Sequence, residues 1–486
     1  MYPDEKADCV IIGAGPAGMS AAIEAAKHGL DCLVLDERPA PGGQIYAGAE
    51  FGPVRDRSCF GPDYSRGLNL ISAFRAAPIR YNPLTTVWDV TEDGTVFVSD
   101  GAQSRRIKAD RIIIAAGAME RPFPIPGWTL PGVMTVGGAQ LLFKTSGVVP
   151  KGPAVLAGSG PLLLLLACQY IDAGVPIAAI LDTTPHAHWF KALPHLPAGL
   201  ASGSLIGKGL GLLAKIRRAG VPVVRAVTRL RAIGSDSLEA VEWETAAGGK
   251  SLPASLLLLH QGVIPNTHLA RALRLDQTWD ERLEAWHPVS GRFGKTKIER
   301  VAVAGDGAGI SGAIAAEHSG RLAALNAAFE LGRLSEAERD RLGAPLLAAR
   351  RSETRARRFA DILFAPPRSR ARSIPDDAII CRCEEVTAGA LRREVRRDVR
   401  EINRAKALLR CGMGPCQGRS CEATVSAIIA EERQISPAAA GYLRIRPPIK
   451  PLPIGELIGL GDQELPAEAR IPVTSANTPA GAIRAS

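Results

Sequence analysis

A strand running straight into a glycine turn and then a helix occurs twice in this chain, and no other feature limits the fold as much. The first copy reads CVIIGAGPAG from Cys9. Gly13 permits a tight turn, Gly15 lets backbone N–H groups approach a pyrophosphate, and Gly18 lets helix and strand pack closely, while the helix opening at Pro16 and Ala17 favours an anion at its N-terminus. The strand CLVLDE follows, and Asp36 at its end stands where a carboxylate accepts hydrogen bonds from ribose hydroxyls, with Glu37 the near alternative. The second copy, AVLAGSGPL, keeps Gly158 and Gly160 but has Leu163 in the third position, and Asp182 ends its next strand. A leucine there pushes the helix off the strand or forces it to repack. NAD(P) or another nucleotide is therefore admitted at the second cradle and not demanded.

Each copy continues in the same way. TTVWDV and TVFVS form a hairpin through Glu92-Asp93-Gly94, and RIIIAAG closes the first unit. In the second, IAAILD, a hairpin of TRLRAIG and LEAVEW, and SLLLLHQG repeat the plan. The reading is an α/β fold with two Rossmann-like units, parallel strands and right-handed crossovers. At Gly305-Asp306-Gly307 a carboxylate lies between a third strand and a helix, a place that suits either an N-cap or a ligand contact. The Arg-rich stretch from Arg350 to Arg372, broken by Pro366-Pro367, reads as a solvated helix face and linker, with a docking surface for a partner or a membrane face as the alternative. The tail RPPIKPLPIGEL reads as extended and the last twenty residues as poorly ordered. The expected organisation is a first domain in two parts, 1–145 and 291–345, around a second at 146–290, then a linker at 346–375, a small helical cysteine-bearing domain at 376–435 and a tail at 436–486.

With 486 residues the chain has room for about three domains, and 46% hydrophobic against 22% charged residues is an ordinary globular balance. The net charge of +10 attracts anionic partners, but the basic stretch lacks interleaved aromatics, so nucleic-acid binding ranks last. Gly152 to Ile171 is uncharged and as long as a membrane span, yet Gly158, Gly160 and Pro161 divide it into a strand, a turn and a helix. His186, His188 and His195 read as a loop with a core or surface role and no catalytic one.

Nine cysteines are present, and five of them, Cys381, Cys383, Cys411, Cys416 and Cys421, share one short segment. Met1 to Lys6 lead directly into the first strand, so a reducing cytoplasm with thiols serving a metal is expected over a disulfide framework. Cys381-x-Cys383 and Cys416-x4-Cys421 make two pairs separated by 32 residues, and four thiolates converging from loops suit a [2Fe-2S] centre. Zinc, which prefers two- to four-residue spacers, and reduced structural thiols are the alternatives. Arg382, Arg410 and Arg419 would favour thiolates, and Cys411 competes for one of the four places. About two iron and two acid-labile sulfide per chain are expected if four thiolates hold one cluster.

The first cradle with Gly305-Asp306, Ala115-Ala116-Gly117 and Gly262-Val-Ile-Pro265-Asn266 resembles the two-dinucleotide-domain flavoprotein disulfide reductase superfamily over residues 6 to about 340. That resemblance implies FAD, held by Gly13, Gly15, Pro16, Ala17, Gly18, Asp36, Glu37, Gly43, Gln44, Val87, Gly117, Gly305 and Asp306, with Gly158, Gly160 and Asp182 at a second nucleotide. It departs at the chemistry, because no Cys-x-x-Cys or Cys-x4-Cys pair occurs before residue 400, and dithiol exchange is not expected. The cysteine segment resembles the bacterioferritin-associated-ferredoxin-like [2Fe-2S] domain, which implies Cys381, Cys383, Cys416 and Cys421 as ligands and Cys411 as a spare thiol.

Taken together with PAPGGQIY, GAMERPFPIPGWTLPGVMTVGGAQLL and CRCEEV, these modules make the chain similar to the large α-type subunits of bacterial opine (octopine or nopaline) oxidases, to the HcnB-type subunit of hydrogen cyanide synthase and to α subunits of proline or hydroxyproline dehydrogenases. The resemblance implies a β subunit of the D-amino-acid-oxidase type with its own FAD; some relatives add a small ferredoxin-like γ subunit and an interfacial FMN. A flavin takes two electrons and a [2Fe-2S] centre one, so the pair reads as an electron relay in a heteromeric opine or amino-acid dehydrogenase. A self-sufficient NAD(P)H-dependent oxidoreductase and a non-catalytic scaffold are the alternatives. The expected location is the cytoplasm, with association at the inner face of the cytoplasmic membrane left open.

Overall fold

The computed structural model describes residues 5–201, 204–367 and 371–457. Its first unit starts with β1 (Glu5–Ile12), α1 (Pro16–Lys27) and β2 (Cys32–Leu35), then α2 (Pro62–Ala76), β3 (Arg80–Asn82), the hairpin β4 (Thr86–Val90) and β5 (Thr95–Ser99), and β6 (Ser104–Ile114). The strands order as β3-β2-β1-β6-β5-β4. β1 is parallel to both β2 and β6, so Cys9, Val10 and Ile11 are wholly buried at the centre of the sheet.

The chain crosses to the second unit through β7 (Ala118–Glu120), β8 (Val133–Thr135) and α3 (Val136–Ser146). There β9 (Ala154–Ser159), α4 (Pro161–Asp172) and β10 (Ile177–Asp182) repeat the opening motif. Next come α5 (His186–Ala192), α6 (Leu196–Ala201), α7 (Ser204–Arg218), β11 (Val223–Val224), the antiparallel β12 (Arg229–Ile233), β13 (Ala240–Thr245) and β14 (Gly248–Pro253), and then β15 (Leu257–Gln261). The parallel sheet of this unit runs β11-β10-β9-β15-β8. Three findings differ from the sequence reading. β14 is a third strand added to the expected hairpin, the histidine segment is helical in α5, and Leu163 is buried in the core, so the helix repacks around it. No described helix is long and apolar enough to cross a membrane.

After β16 (Val263–Pro265), α8 (His268–Ala272), β17 (Gln277–Asp280) and β18 (Ala285–Pro288), β19 (Val301–Val303) returns to the first sheet and pairs parallel with β6. α9 (Ala313–Glu330) packs on α1 so closely that a Cβ on Gly320 would lie 1.9 Å from the Ala17 carbonyl oxygen. α10 (Glu336–Leu363) opens on a Ser335–Glu338 capping box and carries the helix well into the stretch that reads as linker, so most of that stretch is ordered by backbone hydrogen bonding and packing on α9. Residues 368–370 and the last twenty residues lie outside the described ones.

The cysteine module comprises β20 (Ile379–Cys381), β21 (Val386–Thr387), α11 (Ala388–Arg397), α12 (Ile402–Leu409) and α13 (Glu422–Arg433). Ile380, Leu391, Val425 and Ile428 share one continuous apolar core with Val96, Val98 and Ile107 of the first unit and Leu269 and Leu273 beside α8. The module is thereby fixed against the first unit by the same burial that folds it.

Candidate functional site

At the first cradle every glycine has a steric reason. A Cβ on Gly13 would stand 2.5 Å from the Ala115 oxygen, one on Gly18 1.7 Å from the Gly13 oxygen, and one on Gly43 2.9 Å from the Cα of Gly15. Gly15 N-caps α1 with Pro16 in its first turn, which leaves amide donors facing outward at a positive helix end. Asp36 is buried, and its carboxylate accepts from the amides of Ala14 (2.5 Å) and Arg38 (2.8 Å). Burial pushes its carboxyl above the usual range against the pull of those two amides. Glu37 is paired instead with Lys450. Gln44 Nε2 donates to the Ala118 oxygen at 2.8 Å. Asp306 accepts from the amides of Ser311 (2.8 Å) and Gly312 (3.0 Å), so it holds the turn into α9 while also lining the cavity.

A cavity of about 2040 Å³ runs from this cradle to the second one. It is lined by all the first-cradle residues expected from the sequence except Gly18, which packs behind it, and by Gly160 and Asp182 of the second cradle but not Gly158. Single ligand pockets measure roughly 300–1,000 Å³, so the space suits a dinucleotide with volume to spare. The close-packed glycines, the outward helix end and the buried strand-end carboxylate fit FAD.

In the second cradle, a Cβ on Gly158 would lie 1.7 Å from the His260 oxygen, and one on Gly160 3.0 Å from His260 Nε2. The buried His260 ring is held by Glu120 Oε1 at 2.5 Å from Nδ1, and Glu120 Oε2 accepts from the Gly137 amide at 2.8 Å. Asp182 accepts from the Thr184 amide at 2.9 Å.

Two cavity features were not anticipated. Lys144 is buried with its Nζ donating to the Ile45 oxygen (2.9 Å) and Gln140 Oε1 (3.1 Å), and burial pulls its ammonium down to about 7. Its spacing from Gln140, four residues back among the buried Val136, Ala139 and Phe143, is the one sequence signal for this position. The other is the segment around Ile449 and Lys450, which lines the cavity although its sequence reads as a tail.

The five clustered thiols meet in one place. Cys381 is hydrogen-bonded to Cys411 and Cys421, and Cys383 to Cys416. Cys411 and Cys421, with the amides of Gly412 and Glu384, hold the Cys381 thiol far below its usual range, while the same contact with Cys381 raises Cys411 and Cys421. Among the described residues no three His, Cys, Asp or Glu side chains converge on one point as a metal cage, so the thiols stand as bonded neighbours. A set of converging thiols presented from a hairpin and the loop before α13 fits an iron–sulfur donor set. The arginines do less than expected for these thiols: Arg382 stacks on Trp128 at 5.3 Å, Arg410 pairs with Glu384 at 2.8 Å, and Arg419 donates to the carbonyls of Cys416 (3.2 Å) and Ile449 (3.1 Å).

The family profile described as pyridine nucleotide-disulphide oxidoreductase matches residues 7–329. The chain belongs to the pyridine nucleotide-disulphide oxidoreductase family. A second profile, the BFD-like [2Fe-2S] binding domain, matches residues 379–431 of this family member. The A subunit of opine oxidase from Agrobacterium tumefaciens (strain Ach5) is 44% identical over 462 residues, 93% of this chain and 92% of that protein. Hydrogen cyanide synthase subunit HcnB of Pseudomonas aeruginosa is 34% identical over 474 residues, 93% of this chain and 99% of that protein. L-proline dehydrogenase from P. horikoshii shares the fold, with a TM-score of 0.68 at 18% identity over 94% of this chain and 81% of that one. This pyridine nucleotide-disulphide oxidoreductase is therefore an oxidoreductase of the FAD and [2Fe-2S] type, and a subunit of a multi-subunit oxidase.

Proposed function

We propose that the chain relays electrons within a complex whose β subunit, of the D-amino-acid-oxidase type, oxidises a C–N bond of an opine or imino acid. Bound FAD would supply two-electron chemistry and a [2Fe-2S] centre on Cys381, Cys383, Cys416 and Cys421 one-electron transfer. The observation that carries this reading is the seam between the two sites. His268 Nε2 lies 3.0 Å from the Gln417 oxygen in the cysteine loop, and its Nδ1 lies 3.2 Å from Asn266 Oδ1. The Asn266 amide in turn donates to the oxygen of Gly117, a cavity residue, at 3.0 Å. Burial holds the His268 ring neutral at ordinary pH. The names of the curated relatives, the A subunit of opine oxidase and the HcnB subunit of hydrogen cyanide synthase, support a subunit role in the same direction. Purified alone, the chain should contain flavin and iron but fail to reduce a dye with opines, proline or glycine, and adding the β subunit should start turnover. Strong substrate-dependent dye reduction by the isolated chain would overturn the proposal.

A second reading, direct reduction by NAD(P)H, is favoured by Gly160 and Asp182 opening onto the same cavity as the first cradle. Stopped-flow mixing with NADH separates the two: flavin bleaching supports the second reading, and an unchanged flavin spectrum removes it.

A further inference from the structure

Asp36 and Glu37 stand side by side at the end of β2, where a ribose is accepted and beside the path of a pyrophosphate that is itself anionic. Neighbouring negative charges oppose such a ligand unless a cation offsets them. The far end of the chain provides one. Residues 446–453 form neither helix nor strand and run along the cavity at this point. The Ile449 amide donates to the Trp88 oxygen on β4 at 3.0 Å, and the Ile449 oxygen accepts from Arg419 at 3.1 Å. The next residue, Lys450, pairs through Nζ with Glu37 and lines the cavity together with Asp36. Its side chain is only 33% exposed. Arg419 also donates to the Cys416 oxygen, so one guanidinium ties this segment to the cysteine loop. The segment is a strap, fastened at one side to the hairpin of the first unit and at the other to the cysteine module.

We propose that Lys450 is a cofactor-binding residue of the first cradle, brought by this strap to the adenosine end of FAD, with Arg419 as its positioning residue. The inference rests on the first cradle being the FAD site. Lys450 neutralises the carboxylate pair, so a dianionic pyrophosphate can sit beside it, and it offers an ammonium donor that β2 and α1 do not have. Flavin retention is then set by a residue more than 400 positions from the glycine turn, one that no glycine fingerprint contains.

The test uses the full-length chain with its iron–sulfur centre, titrated with FAD by flavin fluorescence and with ADP as a competitor, beside iron content per chain. Lys450→Met should weaken both FAD and ADP by roughly tenfold or more, the worth of a charge-assisted hydrogen bond, with iron unchanged. Lys450→Arg should recover most of the loss, and added salt should narrow the gap between wild type and Lys450→Met. Unchanged FAD affinity in Lys450→Met overturns the assignment, and so does a loss that Lys450→Arg fails to recover. A wild-type chain that takes up no FAD or ADP instead overturns the reading of the cradle itself.

Discussion

Lys144 is the residue whose chemistry is most at odds with its surroundings. It sits on α3 facing the Ile45 carbonyl, Gln140 and the Tyr64 ring at 5.5 Å, feels the charge of Arg38, and forms no ion pair among the described residues. Its folded value of about 7 lies below the ordinary 10.5, so between those two pH values the folded chain binds fewer protons than the unfolded one. Stability contributed at this site therefore rises as pH climbs through that window and is lowest below about 7. Urea midpoints measured across it should climb for the wild type and be flatter for Lys144→Met, and parallel curves would contradict this account. The residue was not legible beforehand because a helical lysine looks the same in sequence whether its face is solvated or buried. Gly13, Gly15 and Gly18 were legible, since each answers a separate steric demand that only glycine meets. Glu37 shows the limit of such reasoning: its spacing suits a ribose, but its partner comes from the strap and no local pattern announces that.

Among elements, the crossing of α1 and α9 governs the cradle. Gly320 touches the Ala17 carbonyl, and Ala17 lines the cavity, so a side chain at 320 would displace the helix that presents the anion-binding end. Gly320→Ala should cost about 1–3 kcal/mol by overpacking and lower the thermal midpoint by several degrees, with flavin lost in the same variant. Calorimetry with flavin counting checks both. The β-α-β order was readable at this scale because apolar runs ended at glycine turns: β1, α1, β2, β9, α4 and β10 lie where their patterns put them. β14 escaped because GGKSLP has an almost wholly exposed face and little strand-like composition, and it is held by cross-strand pairing with β13. α10 escaped for a similar reason, since its arginines resemble a linker until Leu346, Leu347, Ala356 and Leu363 are seen buried.

At the scale of the whole molecule, the cysteine module is joined to the rest by the shared core, by His268 and by the pairing of Arg271 with Glu422 at 2.5 Å. Arg271 is almost wholly buried, so Glu422→Gln leaves a charge without its counterpart and should destabilise the seam by roughly 3–5 kcal/mol. Adding Arg271→Met should recover part of that loss, and a double-mutant cycle on chemical denaturation measures the coupling. The seam was beyond the reach of sequence, because 151 positions separate its two charged partners and only the fold brings them together.

The return of β19 to pair with β6 bears on biosynthesis. The first sheet begins with Glu5, yet its last strand ends at Val303 and the helix that braces α1 ends at Glu330. A ribosome must therefore finish the entire second unit before the flavin cradle gains its last wall. Lys450 emerges later still. Cofactor loading is thus a late step in the life of each nascent chain, and truncated translation products that stop inside the second unit should accumulate without flavin.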